Sequence, residues 1–138
     1  MKAIELQIGD YVNYRGQIIK VTSLYNKGGS NEVGWSDKEC VWVNADNVEP
    51  IPLTTEILEK NGFVANKHVY PYPFYEYINE EDKLKIGFAF PQGNKTSYKE
   101  PWVYIDSENF LIVHLPCIYV HQLQHALRIC RIEKEIVL

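Results

Sequence analysis

The sequence of 138 residues contains little cysteine, and its three cysteines form no paired motif. Cys40, Cys117 and Cys130 are odd in number, widely spaced and outside any CxxC pair, so neither a disulfide framework nor a zinc knuckle is indicated. Free cysteine behaves as a small hydrophobic residue. We therefore expect reduced, mostly buried thiols in a cytoplasmic protein.

Long apolar runs are also missing. A membrane-spanning helix needs about 18 consecutive apolar residues, whereas the longest stretches here, such as residues 110–113, have the length of a strand. The opening residues reach Glu5 and Asp10 without an apolar stretch of signal-peptide length. We expect no membrane span and no secretion signal.

Basic residues show no excess in either half of the chain. The net charge is -4, with 5 basic and 7 acidic side chains in residues 1–50 and 9 and 11 in residues 51–138. This balance argues against duplex DNA or an anionic membrane as a partner. Neither a GxxxxGK[ST] nor a GxGxxG motif occurs, and the KGGS segment at residues 27–30 is typical of a hairpin tip rather than a phosphate site.

Aromatic residues are abundant, with 10 tyrosines among an aromatic content of 13%. The length fits one domain or two small lobes. Residues 1–50 predict a β-meander, with a hairpin about Gly16, a loop or long turn at residues 27–34, and a strand at residues 40–43. This pattern favours an SH3-like β-lobe, a small barrel that carries many unrelated functions.

The prolines of residues 49–53 form a stiff connector, so we place a lobe boundary there and an α+β lobe at residues 51–138. A short helix is expected at residues 54–61, with Thr54 or Thr55 as its cap and Asn61-Gly62 as its end. Further along, the patterns predict antiparallel strands at residues 83–90, 97–105 and 110–115, an edge strand or ordered loop at residues 68–78, and a helix at residues 119–130. The form of residues 131–138 is left open.

The last helix carries a polar stripe. The stripe, at i, i+3, i+4 and i+7, consists of His121, Gln124, His125 and Arg128. Two histidines at i, i+4 can hold a metal, but HQLQH lacks the glutamate that zinc peptidases use as general base. We predict a solvated or partner-facing stripe, with no metal and no cofactor.

His114 and Cys117 are a candidate base and nucleophile, because a thiolate needs a nearby imidazole or helix N-terminus. His114 lies in an alternating strand and Cys117 follows a proline in an apolar stretch. This setting favours core-lining residues, so we predict no catalytic residue.

Tyrosines concentrate between residues 70 and 77. With the tryptophans they predict an aromatic surface for a base, a sugar, a proline-rich peptide or a second copy of the chain. Its candidate members are Tyr70, Tyr72, Tyr75, Tyr77 and Trp102. Lysines and acidic residues alternate around this segment, which disfavours a nucleic-acid platform.

Several segments carry a resemblance to a known group of proteins. They are LQIGDYV at residues 6–12, GQIIKV at residues 16–21, EPIPLT at residues 49–54 followed by Ile57-Leu58 and Asn61-Gly62-Phe63, and YVHQLQ at residues 119–124. The chain resembles small uncharacterised proteins of phages and mobile elements in Bacteroides-like bacteria, with a divergent middle. The resemblance implies a cytoplasmic protein and supplies no activity. In that group HQLQ precedes a residue other than histidine, so His125 departs from the pattern.

We predict a non-enzymatic binding module that acts on an unknown protein partner, with a homo-oligomer as a further option. The alternative is a nucleotide-like ligand binder or an enzyme, with a pocket formed by tyrosines and by His114, His121, His125 and Arg128. Arginine and histidine suit phosphate, and tyrosine suits a base.

Overall fold

The computed structural model describes residues 5–36, 41–65, 74–79, 84–89, 102–107 and 110–138. Within these ranges the chain forms eleven strands in three antiparallel sheets and two α-helices, which confirms the mixed α+β class. The described strands do not close into a barrel. The chain divides into unit 1, Met1–Pro52 with Tyr119–Gln124, and unit 2, Leu53–Ile118 with His125–Leu138.

The first sheet of unit 1 is built on the predicted hairpin. Strands β1 (Tyr11–Tyr14) and β2 (Gln17–Lys20) pair directly, with Tyr14 opposite Gln17. The turn residues Arg15 and Gly16 have φ angles of 50° and 81°. Positive φ at both positions defines the tight turn whose twist matches that of the strands.

The second sheet of unit 1 corrects the predicted loop at residues 27–34. Strand β3 (Ser23–Lys27) pairs with β4 (Ser30–Gly34) across a turn made only of Gly28 and Gly29, at φ 57° and 92°. The Ser, Asn and Gly residues of β4 are typical of loops, but Val33 is buried and holds the strand on the core. Strand β5 (Trp42–Asn44) then pairs with β4; residues 37–40 lie outside the described residues.

The first sheet is completed after a short turn. Ala45–Asn47 form a 3-10 turn that Asn44 caps. Asn44 Oδ1 accepts a hydrogen bond from Asp46 N at 2.8 Å, which pairs a backbone N–H that has no partner within the turn. Strand β6 (Glu49–Pro50) follows and pairs with β1. Buried aliphatic side chains form the core of unit 1: Leu6, Val12, Ile19, Val21, Val33, Ala45 and Val48.

Unit 2 begins with the predicted short helix, α1 (Thr55–Lys60). Thr54 is its cap, because Thr54 Oγ1 accepts from Ile57 N at 3.3 Å. The helix ends as expected: Gly62 adopts φ 82° and Phe63 N donates to Leu58 O at 3.0 Å. Phe63 and Leu58 are both buried there.

A five-stranded antiparallel sheet follows, in the order β11-β10-β9-β8-β7. Its strands are β7 (Val64–Ala65), β8 (Phe74–Asn79), β9 (Leu84–Ala89), β10 (Trp102–Ser107) and β11 (Phe110–Pro116). The edge position predicted for residues 68–78 is wrong for the described part, since β8 pairs with both β9 and β7. The prolines that motivated the prediction precede Phe74 and lie outside the described residues.

Helix α2 (Val120–Ile129) is the predicted C-terminal helix. Tyr119–Gln124 group with unit 1, whereas the predicted second lobe contained the whole helix. The helix ends as α1 does, because Ile132 N donates to Leu127 O at 2.9 Å and Arg131 adopts φ 57°. No described helix has the length and apolar character needed to cross a membrane.

Residues 132–138 belong to unit 2 and have no regular secondary structure. The buried Asn61 binds this segment with its side-chain amide. Asn61 Nδ2 donates to Val137 O at 2.8 Å, and Val137 N donates to Asn61 Oδ1 at 2.9 Å. Ile132 and Ile136 of the same segment are buried, so the segment contributes to the core of unit 2.

Arg131→Gly should stabilise the protein by about 0.5–1 kcal/mol, because glycine adopts the left-handed conformation without the steric cost that a Cβ imposes. Urea unfolding followed by circular dichroism measures the change. Arg131→Ala is the matched control, since it removes the charge but keeps the Cβ. Equal stabilisation by both substitutions would contradict the explanation.

Candidate functional site

The polar stripe predicted on helix α2 is not a continuous exposed surface. His121 and Gln124 are buried, with 2% and 7% of their surface exposed, whereas His125 is half-buried and Arg128 is exposed. The prediction of a solvated stripe is therefore wrong for its first two members. The periodicity identified the polar side of the helix, but it could not show that other parts of the chain bury half of that side.

Gln124 instead satisfies backbone groups at the start of unit 1. Gln124 Nε2 donates to Gly9 O at 2.9 Å, and Tyr11 N donates to Gln124 Oε1 at 2.9 Å. A buried carboxamide costs free energy unless its donor and acceptor are paired. Both ends are paired here, so the Gln124 side chain is a structural element of unit 1.

His121 lies against Tyr119. The two rings are stacked, with their centroids 5.7 Å apart and an interplanar angle of 12°. Gln122 Oε1 accepts from Tyr119 N at 3.1 Å and so satisfies a backbone donor at the beginning of the helix. Three polar residues of the HQLQ segment thus make contacts within unit 1.

The tyrosine surface predicted for residues 70–77 is described only in part. Tyr70 and Tyr72 lie outside the described residues. Tyr75 is buried, and its hydroxyl donates to Glu59 Oε1 at 3.3 Å. Burial, the Glu59 charge and this hydrogen bond raise the pKa of Tyr75. Tyr75 is therefore part of the core and not of an exposed surface.

Tyr77 is half-buried between two neighbours of unit 2. Its ring centroid lies 5.4 Å from that of Phe63, and Lys134 Nζ lies over the ring at 5.3 Å. Trp102 is the first residue of β10 and pairs in register with Ala89 and Pro116. The structure describes its backbone only. The interleaved charges of this segment include a pair at 2.6 Å, between Lys85 Nζ and Glu76 Oε1.

The candidate nucleophile Cys117 is fully buried. Burial raises the pKa of the Cys117 thiol to about 12. The thiolate is the reactive form of cysteine, so this thiol is unsuited to nucleophilic chemistry at neutral pH. His114 lies in β11, and its side chain lies outside the description. Among the described residues, no group of three or more His, Cys, Asp or Glu side chains could hold a metal ion.

The structure presents an exposed aromatic pair that the sequence interpretation missed, because that interpretation grouped the tryptophans with the tyrosines of residues 70–77 and left Tyr25 out. Tyr25 on β3 and Trp42 on β5 are 51% and 39% exposed, with ring centroids 5.9 Å apart and an interplanar angle of 61°. Between them on β4 lie Glu32, opposite Tyr25, and Gly34, opposite Trp42. We refer to Tyr25, Glu32, Gly34 and Trp42 as the aromatic corner.

Gly34 lies on the central strand, between the strands that carry the two rings. The outer strands of a three-stranded sheet lie about 10 Å apart, and a side chain on the central strand would normally separate their residues. A Cβ at Gly34 would clash with Ser23 Oγ, and it would lie 3.3 Å from Val41 O and 3.4 Å from Trp42 Cε3. The missing side chain leaves room for the Ser23 hydroxyl, and the indole of Trp42 packs at contact distance beside it.

A two-residue turn at Gly28-Gly29 was the sequence signal for this site. Such a turn fixes the register of a hairpin, and that register places Tyr25 directly opposite Glu32. Treating residues 27–34 as a loop removed β4 and with it the connection between Tyr25 and Trp42.

No family model, curated protein or solved structure matches this chain.

Gln124→Leu should destabilise the protein by about 1–3 kcal/mol, because it leaves the Gly9 carbonyl and the Tyr11 N–H without their partner. The leucine has a similar volume, so lost hydrogen bonding is the main effect. Chemical unfolding measures the change, with Gln17→Leu as the control, since Gln17 is an exposed glutamine of β2; that variant should stay within about 0.5 kcal/mol. Equal effects of the two substitutions would contradict the structural role of Gln124.

Alkylation of the native protein with iodoacetamide at mildly alkaline pH should modify Cys130 before Cys117. Cys130 is half-buried, whereas Cys117 has no exposed surface and a thiol that stays protonated. Peptide mass spectrometry identifies the modified residue, and a denatured sample serves as the control in which both react. Rapid modification of Cys117 in the folded protein would revive the nucleophile hypothesis.

Proposed function

We propose that this protein is a non-enzymatic binding module that contacts a partner polypeptide through the aromatic corner of unit 1. The observation that carries the proposal is the exposure of Tyr25 and Trp42 on adjoining strands of one sheet. Tyrosine and tryptophan are enriched where protein interfaces are formed and account for much of their binding energy.

The state of the residues that suggested chemistry also supports a binding role. Cys117 is buried with a raised pKa, and His121 and Gln124 are buried within the fold. The nucleotide-binding or enzymatic alternative relied on a pocket formed by tyrosines and by His114, His121, His125 and Arg128. The burial of His121 takes away one member of its proposed set.

We also infer that unit 1 is an SH3-like module. The 3-10 turn at Ala45–Asn47 directly precedes the last strand, β6, which returns to pair with the first strand, β1. The β3-β4-β5 meander that carries the aromatic corner lies between these two strands in the chain. The proposed phage or mobile-element origin rests on the resemblance of the segments named above.

Selection from a random peptide library displayed on phage tests the binding role. The intact chain is immobilised, and recovered peptides are titrated into ¹⁵N-labelled protein. We expect the largest shifts at the amides of Tyr25, Glu32 and Trp42, and we expect Trp42→Ala to abolish enrichment.

Ile18→Ala is the matched control for this selection, because Ile18 is an exposed apolar residue on the other sheet of unit 1. It should leave enrichment unchanged. Failure to recover any peptide, or recovery of peptides that bind Ile18→Ala poorly and Trp42→Ala well, would count against the proposal.

A further inference from the structure

The two rings of the aromatic corner are inclined to each other and form an open angle at the surface. Their interplanar angle of 61° brings the edge of one ring toward the other, and both side chains remain well exposed to solvent. A group placed in this angle would touch two aromatic surfaces at once. The indole of Trp42 packs beside Gly34, where a Cβ would lie 3.4 Å from Trp42 Cε3.

A carboxylate accompanies the rings. Glu32 is the cross-strand neighbour of Tyr25, and such neighbours lie on the same face about 5 Å apart. An apolar ligand in the corner would remove water from this charge without giving it a partner, which costs free energy. A positively charged ligand would supply that partner.

Three described aromatic rings elsewhere in the chain have a cation over them. Arg15 lies over Tyr14 at 5.3 Å, and Lys20 lies over Tyr11 at 5.6 Å. Of the Lys and Arg side chains that the structure describes, none lies over Tyr25 or Trp42. The corner therefore offers ring faces and a carboxylate to a cation from another molecule.

We propose that the aromatic corner binds a basic side chain, the guanidinium of arginine or the ammonium of lysine, in an exposed segment of the partner polypeptide. The cation packs against the exposed ring faces on the open side of the angle between Tyr25 and Trp42, and Glu32 supplies the counter-charge. This inference rests on the proposed function and specifies the chemistry of the partner.

NMR titration of the intact ¹⁵N-labelled chain tests the proposal with three capped tripeptides of the form Gly-X-Gly. X is arginine, lysine or the neutral norleucine. We expect the arginine and lysine peptides to shift the amides of Tyr25, Glu32 and Trp42, and the norleucine peptide to bind more weakly by about two- to fivefold, in line with an exposed cation–aromatic contact.

Variants separate the rings from the charge. Trp42→Ala should weaken the arginine peptide by about two- to fivefold, and Glu32→Gln by a similar factor that shrinks as salt is added. Glu49→Gln is the matched control: it makes the same change in net charge at an exposed site on the other sheet of unit 1. Circular dichroism of each variant verifies its fold.

The outcomes distinguish this inference from the proposed function. Equal affinity for norleucine and arginine, or equal effects of Glu32→Gln and Glu49→Gln, would overturn the cation site. If library peptides map to the corner but contain no basic residue, the cation site fails while the binding module stands. If the arginine peptide binds there and no library peptide does, the cation site stands and the binding module fails.

Discussion

The side-chain carboxamide of Gln124 is the contact on which the organisation of unit 1 depends, because it joins the beginning of β1 to a helix more than a hundred residues later. Its two hydrogen bonds replace those that another strand would make to Gly9 and Tyr11. Unit 2 uses the same chemistry: the buried amide of Asn61 pairs with both backbone groups of Val137. In both units a buried amide is tolerated because its donor and acceptor are both satisfied.

This use of polar residues decides where binding chemistry remains available. His121 and Gln124 of α2, which suggested a ligand surface, are buried in the fold. The aromatic corner remains exposed at two rings and lies on a sheet whose register is fixed by a two-residue glycine turn. Such a surface combines a defined shape with the negative charge of Glu32, which suits recognition of another molecule better than catalysis.

Local signals in the sequence predicted the local structure well. Thr54, Asn61 and Gly62 identified both ends of α1, and Gly16 identified the first hairpin, because caps and tight turns depend on a few neighbouring residues. Long-range contacts were not predictable in this way. The polar character of Gln124 is equally consistent with solvent or with a distant backbone, and nothing beside it in the chain names Gly9 as its partner. The aromatic corner was missed for a related reason, since Tyr25 and Trp42 become neighbours only when β4 is placed between them.

The separation in sequence between Gln124 and its partners also bears on how the chain folds as it is synthesised. The hairpins of β1–β4 close over two-residue turns, so they can form soon after they leave the ribosome. Gly9 and Tyr11 must wait for a glutamine that is 115 and 113 positions further along the chain. Unit 1 therefore emerges first and is completed late: during translation Gly9 O and Tyr11 N lack these hydrogen bonds until residue 124 is free of the exit tunnel.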